Sequence, residues 1–331
     1  MTTYIVRRVF WLVPVLFFVS LITFSLMHAA PGGPWDRDLE ARQVDKRTQE
    51  LLNERFGLDK PLFFNLEGGN PLDSQFFNYL WNAVRGDLGP SYRQRGRDVQ
   101  DILFQPPEGK HIWESRFGYS MQLGLLALGI AVVLGIPLGM IAALRRNTVA
   151  DYTSLFLSTI GISVPSFVMA IFLIIIFAVQ LKLMKIVQDD WSTPGAWLVP
   201  AAVLGFHTFA YITRLTRSTM LEVMQQDYIR TARAKGLAER IVVFRHMLRN
   251  ALIPVVTILG PALAALVTGS FIIETMFSFP GSGGEYVRAI RNRDYSMIMA
   301  TTLVYALLVA VANLTVDLVY GFLDPRIKVG D

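Results

Sequence analysis

Six apolar runs, each long enough to cross a bilayer, punctuate this chain at 8–28, 118–144, 152–181, 196–216, 251–277 and 297–323. Hydrocarbon offers no water to backbone N–H and C=O groups, so runs of this length settle there as helices that bond internally. The composition agrees. Of 331 residues, 53% are hydrophobic and 17% charged, fewer charges than a soluble domain of this length carries. The expected fold is an all-α polytopic membrane protein with about six transmembrane helices. Its first transmembrane helix occupies 1–29. A long extracytoplasmic loop or cap region fills 30–117, a core of five further helices 118–323, and a cytoplasmic tail 324–331.

Glycine and proline mark the runs. Gly124, Gly129, Gly135 and Gly139 share the second, and Gly135 with Gly139 forms a G-x-x-x-G pair of the kind that lets helix backbones approach closely in lipid. Pro137 and Pro165 are expected to kink their helices. Arg7-Arg8, the following apolar core and His28-Ala29-Ala30 also mimic a cleaved secretory signal. That core is longer than such signals carry, and its removal would leave five spans, so the first run is read as a retained helix.

Basic residues in short loops set the orientation. Arg7 and Arg8, Arg145 and Arg146, the loop 217–250, and Arg326 and Lys328 all fall on one side if there are six spans. The loop carries seven basic residues against three acidic, a net +4. That side is read as the cytoplasm, with both termini inside, although Arg288, Arg291 and Arg293 lie opposite. The segment 30–117 is then outside. Within it, 50–56 reads as a short helix ended by Gly57, and SQFFNYLWNAVR at 74–85 as an aromatic-rich helix, either interfacial or part of a packed cap.

Several chemistries lack their residues. With no cysteine there is no disulfide, thiolate metal site or thiol nucleophile. G-x-x-x-x-G-K-[ST], H-E-x-x-H and G-x-S-x-G are missing, and the four histidines show no ligand spacing. No catalytic site, bound cofactor or metal is expected, and no nucleic-acid partner, since basic residues do not interleave with stacking aromatics in a soluble segment. Work done by such a chain must draw on a partner or an ion gradient. Ion-coupled carriers place ionisable groups deep in the bundle. The candidates are His207, Arg214, Glu274 and Asp317, with Asn313 one turn before Asp317 on the same face. His207, Asn313 and Asp317 are read as pathway-lining or structural polar groups.

The stretch DYIRTARAKGLAERIVVFRHMLRNALIP at 227–254 cannot enter lipid with eight charges. Asp227 is suited to cap a helix N-terminus and Gly236 to end the helix in the left-handed conformation. Tyr228, Ile229, Ala232 and the stem of Lys235 recur on one face, with Arg230 and Arg233 on others. Ala232 and Gly236 are small, so this helix is expected to settle deep into a receiving cleft. It is read as a docking element for an external motor, or else as a helix resting on lipid headgroups.

RLTRSTMLEVMQQDYIRTARAKGL at 214–237 resembles the coupling loop of ABC importer permeases, in particular the dipeptide, oligopeptide and nickel group. The family's general form is Glu-Ala-Ala, three residues, then Gly. Aligned on Gly236, this chain carries Arg230, Thr231 and Ala232 in the first three places. The proline that the general form carries further on falls on Arg249, and the nearest proline is Pro254. The opening YIVRRVFWLVPVLFFVSLITFSLMHAAPGGP is similar to the B-type of the group's two permease subunits. FGLDKPL, RGDLGPSY, GISVPSF, ETMFSFPGSGGEYVRAIRNRDY and DLVYGFLDPRIK carry the likeness along nearly the whole chain.

The resemblance implies a half-pathway in the cytoplasmic (inner) membrane. A homologous second permease subunit would complete it, and two ATP-binding subunits would hold ATP and Mg. A periplasmic or lipid-anchored binding protein would deliver peptides. It also implies that Asp227, Tyr228, Arg230, Thr231, Ala232, Arg233, Ala234, Lys235 and Gly236 form the ATPase-coupling element. An ion-gradient-driven carrier and a non-transporting membrane scaffold are the competing readings.

Overall fold

A computed structural model describes residues 2–35, 46–66, 69–94, 96–185, 188 and 190–323; the side chains of 2–5, 46 and 316–323 lie outside that description. The tail 324–331, with Arg326 and Lys328, and the side chain of Asp317 therefore fall outside the described residues. The helices are α1 Thr2–Ala29, α2 Lys46–Arg55, α3 Gln75–Val84, α4 Val99–Phe104, α5 Arg116–Leu144, α6 Val149–Ser163, α7 Ser166–Gln180 and α8 Pro194–Val223. They continue as α9 Asp227–Ala234, α10 Glu239–Ala251, α11 Ile253–Val267, α12 Phe271–Met276, α13 Ser282–Asn292 and α14 Tyr295–Leu323. Among the described residues the only β pairing is an isolated bridge between Pro90 and Asp98.

Among the described residues, four helices are long and apolar enough to span a membrane alone, within α1, α5, α8 and α14. The bent pairs α6–α7 and α10–α11 bring the number to six if each pair is one span. In α1 only 11% of the spanning window is buried. A helix apolar nearly all round and this exposed is at home in lipid, not water.

Two of the expected runs are broken. The run 152–181 was expected to bend at Pro165; instead α6 and α7 meet at 111°. Proline has no N–H to give and forces the residue before it out of the helical region, and Val164 is accordingly extended at φ −87°, ψ 123°. The run 251–277 is shifted. Its helical stretch begins at Glu239, bends by 50° after Ala251 and ends at Val267. Gly269 then takes φ +79°, and a Cβ there would strike the Glu274 carboxylate. By contrast α5 runs unbroken through Pro137.

The chain folds as two compact units. One comprises Met1–Tyr119 with Gly281–Ala310, the other Ser120–Pro280 with Val311–Val329. In the first, α2 precedes Gly57 at φ +66°, and Ser74 Oγ accepts the Phe77 N–H at the start of α3. Phe76 packs with Phe24 and Met299, and Trp35, Tyr92 and Tyr295 form a second aromatic cluster. Asp294 ties the unit together. Its buried carboxylate accepts from Ser91 Oγ at 2.5 Å, from the Tyr92 N–H and from the Met297 N–H in the first turn of α14. Glu285, also buried, pairs with Arg116 at 2.6 Å and Arg288 at 2.8 Å.

The second unit is built on close helix contact. A Cβ on Gly139 would lie 2.5 Å from Thr213 O, and one on Gly135 3.0 Å from Ile212 Cγ2. The G-x-x-x-G pair thus seats α5 on α8, and Gly161 seats α6 on the same helix beside Ala210.

Candidate partner-docking surface

Gln226 stands at the N-cap of α9 and makes no side-chain capping bond. This corrects the capping role expected of Asp227. Asp227 is the first helical residue, where its charge faces the positive helix end, and it lies 3.6 Å from Arg230. Gly236 does what its type suggested: it takes φ +75° directly after the C-cap Lys235. The chain then turns back into α10.

The inner face of α9 is committed to the protein itself. Ile229 is fully buried and Ala232 is 6% exposed, packed with Met220 of α8 and with Val242, Val243, Met247 and Ala251 of α10. Burying one such isoleucine contributes about 1.5–3 kcal/mol, enough to hold a helix of only two turns. The expectation that Ala232 would meet an outside cleft is therefore corrected: its smallness lets α9 lie close on α10. The outward surface consists of Asp227, Tyr228, Arg230, Thr231, Arg233, Ala234 and Lys235. Arg233 clamps Glu239 through contacts of 2.6 and 3.2 Å, fixing the α9–α10 turn, and that carboxylate holds the guanidinium above its usual range. Tyr228 accepts a hydrogen bond from Asn250 Nδ2 at 3.0 Å.

Elsewhere in this unit, Asp151 of α6 is 1% exposed and grips Arg217 of α8 in a fork of 2.5 and 2.9 Å. Asp151 also accepts the Asn147 N–H. The sequence reading counted Arg217 as one loop charge and missed this pair. The only signal was an acidic residue in the first turn of an apolar helix.

The remaining polar candidates are dispersed. His207 is exposed on α8 and lines a cavity of about 330 Å³ with Phe206, Met169 and the α6–α7 break around Pro165. Asn313 is half-buried on α14. No hydrogen bond or ion pair among the described residues joins His207 to Asn313. Glu274 is fully buried and accepts from Ser120 Oγ at 2.8 Å.

Residues 135–329, from the middle of α5 onward, match the family described as binding-protein-dependent transport system inner membrane component. The chain belongs to that family. The chain is similar to the dipeptide transport system permease protein DppB of Bacillus subtilis, 41% identical over 99% of this chain and 98% of its own length. The oligopeptide transport system permease protein OppB of Escherichia coli K12 is 35% identical over 99% of this chain and all of its own. DppB of Lactococcus lactis is 37% identical with the same coverage. Helix α9 lies within the matched residues, whereas α1 to α4 precede them.

Proposed function

We propose that the chain is one of two membrane-spanning subunits of an ATP-driven importer of di- or oligopeptides, and that α9 with Gly236 is the part gripped by cytoplasmic ATPases. The peptide cargo follows the names of the relatives. The observation that carries the coupling role is the division of α9 into a buried inner face and a polar outer one. An element held by Ile229 and Ala232 to both α8 and α10 passes a push or pull on its outer face to two spans at once. The ATPases bind ATP and Mg; Tyr228, Arg230, Thr231, Arg233 and Lys235 offer them donors and a positive rim. A binding protein delivers cargo on the opposite side, and both termini lie in the cytoplasm.

Uptake by the assembled complex in vesicles tests this reading. Peptide transport should require ATP on the face bearing α9 and persist when ionophores collapse ion gradients. Uptake that ionophores abolish while ATP is present would instead establish an ion-driven carrier.

A further inference from the structure

The outward face of α10 has no use in the coupling scheme. Val242, Val243, Met247 and Ala251 turn inward, whereas Ile241 and Phe244 remain 43% and 53% exposed. Arg240, Arg245 and Arg249 are exposed with them, and none has an ion-pair partner among the described residues. The acidic residue of this helix, Glu239, is already engaged by Arg233. The result is an apolar strip with unneutralised guanidinium groups along a 13-residue helix.

Position decides what such a strip meets. At Leu252 the chain bends by 50° into α11, whose apolar sequence begins at once with the exposed Ile253. With 15 residues, α11 passes as a membrane span only together with α10, so α10 forms the charged end of one bent span, the end that meets phospholipid headgroups. A helix with apolar side chains reaching toward acyl chains and arginines beside them fits an interface bearing negative charge. Zwitterionic headgroups would leave the three guanidinium charges without net compensation. We propose that the Ile241–Phe244 face of α10 is a binding surface for anionic phospholipid, with Arg240, Arg245 and Arg249 as its headgroup contacts. This depends on the α10–α11 pair crossing the membrane as one span and not on the cargo or on the docking of α9.

The test uses the complete transporter, with its ATPases, in nanodiscs of phosphatidylcholine containing a minor fraction of phosphatidylglycerol. Phosphatidylglycerol retained per complex should exceed its bulk share. Each arginine changed to glutamine should weaken that preference about fivefold at low salt. Unchanged retention in Arg240→Gln/Arg245→Gln/Arg249→Gln would overturn the proposal. A local reading comes from a spin label at Phe244→Cys, since this chain has no cysteine of its own. Collisions with oxygen should exceed those with a water-soluble nickel chelate. The reverse order means a solvated face. Shielding from both reagents once the ATPases assemble means a protein partner. Either outcome refutes a lipid site.

Discussion

Asp151 and Arg217 illustrate how a membrane protein keeps charge near the bilayer. The carboxylate is almost fully buried and the guanidinium about one-fifth exposed, so each depends on the other for compensation. Asp151→Ala should lower the stability of the complex by about 3 kcal/mol, seen as a fall in its melting temperature, because an uncompensated guanidinium remains. Adding Arg217→Leu should recover most of that loss. Asp73 is a gentler case at the foot of α3. Its carboxylate is held below the ordinary 3.8 by hydrogen bonds from Asn78 and Lys60. A depressed folded value means the contribution is complete above 3.8 and disappears as pH falls through the lowered value. The difference in melting temperature between the wild type and Asp73→Asn should therefore be constant at neutral pH and shrink below 3.8.

At the scale of elements, α9 is a short helix that persists because one side is glued down. Gly236 sets how it ends. Its φ of +75° favours glycine, yet no atom lies within 4 Å of a Cβ placed there. Gly236→Trp should thus cost only about 1–2 kcal/mol in backbone strain, leaving membrane insertion intact. The indole would stand out from the docking surface, and transport and substrate-stimulated ATP hydrolysis should be lost. Gly236→Asn, which tolerates the left-handed conformation, should retain both. Normal uptake by the tryptophan variant would remove α9 from the coupling path. The α6–α7 break is the other decisive element. Its proline was plain in the sequence, but the size of the bend was not, since that depends on how α7 leans against α8.

For the whole molecule, topology is the property to test. A single cysteine at Arg230 should react with a membrane-impermeant maleimide only after the cytoplasmic face is opened. One at Trp81, 60% exposed on α3, should react in intact cells. Labelling of Arg230→Cys from outside would invert the arrangement on which the coupling scheme rests.

The membrane class, the helical architecture and the family were legible from the chain itself, because hydrophobic length and glycine placement act locally and need no partner to be read. The left-handed turn at Gly236 and the close seating of Gly135 and Gly139 followed from the same local rules. Only the tertiary structure decided which side of α9 is spent on the core, that Asp151 belongs to Arg217, and that Asp294 receives Ser91 from about two hundred residues away. Those outcomes depend on which surfaces meet. Periodicity along one helix states that it has a buried face, but the identity of what buries it is set by chain segments remote in sequence.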